Sequence, residues 1–230
     1  MSTLLKAFNS TVGRKLIMGL TGLGLVLFVI VHLIENLLLY VSADAYNGYV
    51  ERLHSLGILL TFAEVGLALM ILVHALLAIR ITKTNHDARG SERYAVYRSK
   101  GEPSHSSVAS RNMIITGVVI LGFLVYHLIQ FRFGPGMPEG YVANLEGKQV
   151  LDLYRMVSEA FRNPICVGIY VAAMAFLGLH FRHGFWSAFQ SLGAMTPQIS
   201  KPMYCLGLFI GLLLAIGFAT LPIYFYFLAH

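Results

Sequence analysis

An all-α integral membrane protein with five transmembrane helices is the fold class the sequence predicts, on three observations. The 230 residues are 57% hydrophobic and only 12% charged, against about 25% charged in an ordinary soluble domain. The apolar residues gather into five stretches, near 15–40, 56–80, 111–132, 164–186 and 203–228, each close to the ~20 residues a helix needs to cross a bilayer. The longest connections, roughly 81–110 and 133–163, leave no room for a sizeable soluble domain. Residues 1–230 therefore read as a single membrane domain.

The first stretch is too long for the apolar core of a cleaved signal peptide, contains His32 and Glu35, and is followed by no small-residue cleavage site, so it reads as helix I. Helices II to V follow in order. The cysteines, Cys166 and Cys205, lie singly in separate apolar stretches, which predicts two small buried hydrophobes and no disulfide framework. The connection after helix II is polar and basic, with Lys83, Arg89, Arg93, Arg98 and Lys100 around Tyr94 and Tyr97; it reads as a solvated loop or a docking surface for a soluble redox subunit. The connection before helix IV carries Gly134-Pro135-Gly136 and then helical periodicity from Val150 to Phe161, expected to lie at the interface as a cap.

The net charge of +6 invites a nucleic-acid reading, but its distribution points to the lipid bilayer instead. With the N-terminus cytoplasmic, twelve lysines and arginines, from Lys6 to Lys201, fall on the inner side. Only Arg52, Arg132, Lys148, Arg155 and Arg162 fall on the outer side. That bias is the positive-inside pattern. Helices I, III and V then run outward, and II and IV inward.

Topology gives meaning to four histidines, one in each of helices I to IV: His32, His74, His127 and His180. An ionisable side chain inside a membrane is costly and marks function. His32 and His127 come late in outward helices, so both lie toward the outer face. His74 and His180 come late in inward helices, so both lie toward the inner face. A sequence echo supports the first pairing: Thr21-Gly22 precedes His32 as Thr116-Gly117 precedes His127. Ten residues of helix rise about 15 Å, which sets Gly22 and Gly117 at the depth of the inner pair. There a glycine lets the backbone approach a flat macrocycle, or serves ordinary small-residue packing.

Two facing imidazoles at each of two depths fit two haem b groups, each iron taking both axial ligands from facing helices of a bundle formed by helices I–IV. A clustered metal site would need its ligands at one point, and these pairs are separated. His180 and His183 share one helix face and cannot serve different haems; His183 reads as a neighbour of a propionate or of the docking surface. Glu64 lies ten residues before His74, at the outer pair's depth, and Glu35 one turn beyond His32. Either carboxyl could relay protons to a quinone, or be hydrogen-bonded within the bundle or turned to the interface. Arg155 could neutralise an outer-haem propionate or stand as an interfacial charge. His230 reads as a solvated terminus.

Several motifs in order carry a resemblance. These are Gly13-Arg14-Lys15 leading to Leu20-Thr21-Gly22 and Val31-His32-Leu33, and Val73-His74-Ala75 followed by Arg80. Thr116-Gly117 stands ahead of His127, Arg155-Met156-Val157-Ser158-Glu159 precedes helix IV, and His180-Phe181-Arg182-His183-Gly184-Phe185-Trp186 ends it. The chain resembles the cytochrome b membrane subunit of succinate dehydrogenase and fumarate reductase, in its five-helix, di-haem form. The resemblance implies that His32 and His127 ligate the distal haem and His74 and His180 the proximal one. It implies a flavoprotein subunit with FAD and an iron–sulfur subunit docked at the cytoplasmic face of a bacterial inner membrane, with menaquinone the usual quinone and a higher oligomer of the complex open. Some menaquinol-oxidising fumarate reductases carry a glutamate two residues before the helix-IV ligand; here that residue is Gly178, which favours the succinate-oxidising direction. Two other readings stand beside it: a di-haem subunit of a hydrogenase or formate dehydrogenase, and a proton-coupled transporter with a histidine relay.

Overall fold

The structure, a computed structural model, describes residues 10–88 and 112–228. The basic connection with Arg89, Arg93, Tyr94, Tyr97, Arg98 and Lys100 lies outside the described residues, as do Lys6, Arg111 and His230. The described chain is mostly helical: α1 (Thr11–Asn36), α2 (Ala43–His54), α3 (Ile58–Asp87), α4 (Met113–His127), α5 (Leu153–Ala160), α6 (Pro164–Ser191) and α7 (Pro197–Phe227). A short hairpin pairs β1 (Val142–Leu145) with β2 (Lys148–Leu151).

Among the described residues, five helical stretches are long and apolar enough to cross a membrane: Thr11–Tyr40, Ile58–Asp87, Met113–Arg132, Pro164–Ser191 and Pro197–Phe227. The first begins ahead of the apolar limit read from sequence, and the second, fourth and fifth also run past theirs. Hydropathy falls where Lys83, Thr84 and Asn85 begin, but these residues do not break a helix. Their ends follow local chemistry. Ser10 Oγ accepts from Gly13 N–H at 3.0 Å at the start of α1, and Asn163 Oδ1 accepts from Ile165 N–H at 2.9 Å at the start of α6. Pro164 and Pro197 are first residues of their helices, where a missing N–H costs nothing.

Contacts gather the chain into two compact units. The first unit takes α1 through Phe28, α3 from Gly66, α4 through Val118, α6 from Gly178 and α7 through Leu212. Its core holds Trp186, 2% exposed, with Phe181, Phe185 and Leu77. Here α7 lies against α6 so closely that a Cβ on Gly211 would stand 2.8 Å from the Gly178 carbonyl oxygen. Only glycine permits that approach of two backbones. Gly178 is thus engaged in helix packing through its main chain. Cys205 also belongs to this unit and is exposed, which corrects the expectation that both cysteines are buried.

The second unit takes Val29–Val65, Val119–Leu177 and the chain from Leu213. Its core joins Leu39, Tyr46, Val50, Val157, Phe161, Cys166, Tyr170, Leu221 and Phe225. The α2 helix is capped by Ser42, whose Oγ accepts from Ala45 N–H at 3.0 Å; Asp44 in its first turn and Arg52 and His54 in its last suit the helix dipole. The buried Asn47 joins α2 to the start of α5. Its Nδ2 donates to Asp152 Oδ1 at 2.8 Å and its Oδ1 accepts from Tyr154 N–H at 2.9 Å, so both ends of the amide are satisfied.

The helical reading of Val150 to Phe161 is corrected at its start. Val150 and Leu151 belong to β2, and α5 begins at Leu153. The two-residue turn Glu146-Gly147 has φ of 50° and 83°, the left-handed pair a tight hairpin demands. Asp152 then caps α5 by accepting from Arg155 N–H at 3.1 Å. The periodicity was real for eight residues, but the turn had already committed the preceding four to strand.

Candidate functional site

The four intramembrane histidines meet in two pairs, one in each unit. In the first unit, His74 of α3 and His180 of α6 have ring centroids 6.5 Å apart at an interplanar angle of 67°. In the second, His32 of α1 and His127 of α4 are 5.9 Å apart at 81°. All four rings belong to half-buried residues in otherwise apolar helices.

Around His74 and His180 the chain repeats one device. Thr21 Oγ1 of α1 lies 3.2 Å from His74 Nδ1, and Thr116 Oγ1 of α4 lies 3.0 Å from His180 Nδ1. The following glycines face the same rings. A Cβ on Gly22 would sit 3.4 Å from His74 Cε1, and one on Gly117 3.6 Å from His180 Cε1. The Thr-Gly echo noted in the sequence thus places a hydroxyl and a bare backbone against each imidazole. Sequence reasoning singled out the glycines and passed over the threonines, although the repeat contained both. His183, on the same helix, stacks toward Trp186 with centroids 6.1 Å apart.

The His32–His127 pair has unlike surroundings. His127 sits among Phe123, Phe131 and Tyr170, with centroids 5.9, 5.5 and 6.1 Å away. Its Nδ1 is 3.1 Å from the Tyr170 hydroxyl, which donates to Gln130 Oε1 at 2.9 Å. Gln130 Nε2 in turn donates to Cys166 Sγ at 3.3 Å. Immediately after His127 the α4 helix loosens into a π-helical turn, Leu128–Arg132, a distortion common at functional positions. Tyr170 and Gln130 were missed from sequence. Their signal was polarity inside apolar stretches, the same signal that marked the histidines.

His32 is packed against Phe218, centroids 5.7 Å apart, and against the Asn36 amide, whose Nδ2 is 3.4 Å from His32 Nδ1. Glu35 joins it: Oε2 lies 3.8 Å from His32 Nδ1, while Oε1 accepts a hydrogen bond from the Tyr49 hydroxyl of α2. Burial, and next the Glu35 carboxylate, raise the Tyr49 phenol above its ordinary value. Tyr49 therefore remains a donor toward Glu35.

Two further residues singled out from sequence, Glu64 and Arg155, each have a charged partner. Glu64 receives a two-pronged ion pair from Arg132, Nε to Oε1 at 2.9 Å and Nη2 to Oε2 at 3.0 Å. Arg155 lies on α5, a separate helix ahead of α6. Its Nε donates to Glu159 Oε1 at 2.7 Å, and its guanidinium covers the Tyr141 ring at 5.2 Å. Tyr141 and Arg155 together hold the Glu159 carboxyl below its ordinary value.

The donor set can be tested against a metal. Trans imidazoles bound at ~2.0–2.1 Å, with each nitrogen ~1.1 Å from its ring centroid, set the centroids roughly 6.3 Å apart. The observed 5.9 and 6.5 Å bracket that value. Among the described residues no three His, Cys, Asp or Glu side chains gather as a metal-binding group. Each pair would supply two nitrogen donors to a group that brings the rest of its own ligand set, and Gly22 and Gly117 present bare backbone to the His74 and His180 rings. Two facing imidazoles suit bis-imidazole iron chemistry at each place, and among the described residues the close glycine backbones stand beside the His74–His180 pair alone. No family model matches the chain, and no curated protein or solved structure is detectably similar to it.

Proposed function

We propose that this chain is a di-haem cytochrome b that anchors a redox complex in the membrane and carries electrons between a soluble iron–sulfur partner and a quinone. The observation that carries this reading is the pairing of four intramembrane histidines at centroid distances of 5.9 and 6.5 Å. A haem held by two histidines would supply a one-electron centre suited to electron transfer rather than oxygen activation.

The chain's own residues do the rest. His32 and His127 hold one haem, and His74 and His180 the other. Gly22 and Gly117 let the α1 and α4 backbones come within van der Waals reach of the His74 and His180 rings. Phe123, Phe131 and Tyr170 exclude water around His127. Glu35, fixed by Tyr49 and 3.8 Å from His32, is the carboxylate placed to hold or pass a proton during quinone chemistry. Glu64, held by Arg132, is a second candidate for that role. Arg155, paired with Glu159 and lying over Tyr141, is the candidate cation for a propionate of the outer haem.

The motif resemblance extends the proposal to the membrane subunit of a succinate dehydrogenase or fumarate reductase complex in a bacterial cytoplasmic membrane. A flavoprotein with FAD and an iron–sulfur protein are the partners and menaquinone the quinone. The chain is not catalytic alone. Gly178 in place of a glutamate favours succinate oxidation. Purification of the intact complex tests this reading: two b-type haems reduced by succinate, with FAD in a partner subunit, are expected. A nickel or molybdenum partner would move the chain to a hydrogenase or formate dehydrogenase. A purified protein with no Soret band would leave a histidine relay in a proton-coupled transporter.

A further inference from the structure

A threonine hydroxyl has one proton, and in both Thr-Gly pairs that proton has a main-chain destination. Thr21 Oγ1 donates to the Ile17 carbonyl at 2.8 Å, with the Met18 carbonyl at 3.2 Å. Thr116 Oγ1 donates to the Met113 carbonyl at 3.0 Å. Both are the back-bonds to the preceding turn that helical threonines make. With its proton directed there, each hydroxyl has only a lone pair left for the imidazole beside it, and so can only accept. The tautomer that matches such an acceptor carries its proton on the Nδ1 that faces Thr21 or Thr116. A neutral imidazole carrying its proton on Nδ1 has its lone pair on Nε2.

We propose that Thr21 and Thr116 are positioning residues. They hold His74 and His180 as Nδ1–H tautomers with Nε2 free for iron, and so lower the reduction potential of the haem held there. The inference rests on the di-haem reading above. An Nδ1–H that donates to an acceptor makes the ring a more basic ligand, and a more basic axial ligand favours the oxidised iron. The arrangement is two-fold in character, because α1 serves α3 as α4 serves α6. It also gives α1 and α4 a double duty: each ligates at one pair and orients a ligand at the other.

The test is a redox titration of the full chain in its complex, comparing Thr21→Val, Thr116→Val and both together with the corresponding Thr→Ser variants. Valine keeps the shape of threonine and removes the hydroxyl acceptor; the Met18 main chain, also bonded to His74, remains in Thr21→Val, so Thr116→Val is the cleaner variant. Losing one net hydrogen bond is expected to change the one-electron equilibrium constant about fivefold toward the reduced form, which is about 40 mV at 59 mV per tenfold. The double variant should shift about twice as far on the potential scale. The haem on His32 and His127 should not move, and serine should restore the wild-type potential. If valine abolishes that one haem while serine retains it at the wild-type potential, the hydroxyl is needed and the inference stands. Unchanged potentials in all variants, serine and valine shifting alike, or loss of the haem in both would overturn it. A wild-type complex holding no haem would overturn the di-haem reading itself; two haems indifferent to these threonines would overturn only this inference.

Discussion

The two histidine pairs differ less in their own spacing than in what stands behind them. His74 and His180 are treated alike: each Nδ1 meets a threonine hydroxyl and each ring faces a glycine. His32 and His127 are treated unlike. His127 is backed by Tyr170 and Gln130 within an aromatic enclosure, whereas His32 is next to an amide and a carboxylate that reaches Tyr49. A symmetric, uncharged surround suits a site that only holds a cofactor. An asymmetric surround with an ionisable arm suits a site where protons accompany electrons. On the proposed function, the first pair would serve plain electron transfer and the second quinone-linked chemistry.

Replacing the paired histidines breaks the comparison most severely. His180→Ala should remove one spectral haem and His127→Ala the other, leaving one haem per chain in each case. Pyridine haemochrome content with low-temperature α-band spectra would measure this, and loss of both haems together from either variant would count against independent sites. Next come the glycines. Gly117→Leu places a branched side chain where even a Cβ would be 3.6 Å from His180 Cε1, and should cost that pair most of its haem while sparing the other. Equal loss from both pairs would mean general unfolding rather than a blocked ring.

A smaller effect is expected from Tyr170→Phe. It removes the hydroxyl beside His127 Nδ1 but keeps the aromatic ring, so haem content should hold while the potential of that haem alone rises severalfold in equilibrium terms. No change would confine Tyr170 to packing. The smallest effect belongs to the Glu159 cluster, outside the membrane helices. The Glu159 carboxyl is held below its ordinary value of 4.5 by Tyr141 and Arg155. Its contribution to stability is therefore present above pH 4.5 and fades as pH falls through the depressed value. Thermal melts of Glu159→Gln and wild type should differ slightly at neutral pH and converge in acid. The difference is small because the ion pair is exposed.

Much of this was legible in the sequence, for physical reasons that also mark its limits. A bilayer imposes long apolar stretches, so the five spanning helices were visible while their polar extensions, such as Lys83 to Asp87, were not. One histidine per helix, read with the charge bias, put His32 with His127 and His74 with His180, and the structure brings the same rings together. The second layer was only half visible. Thr21 and Thr116 appeared as part of a repeat, but their role depends on which ring each hydroxyl faces. Tyr170, forty-three positions from His127, and the Arg132–Glu64 pair, sixty-eight apart, join residues by folding alone. The hairpin was hidden because four-residue strands leave too little alternation to compete with the helical period that follows.

The most direct test of the central claim is the haem-to-chain ratio of the purified wild-type protein, read with the reduced-minus-oxidised spectrum. Two b-type haems per chain, with near-infrared and magnetic signatures of bis-imidazole iron, are the predicted result. A folded chain that crosses the membrane and binds no haem would contradict it.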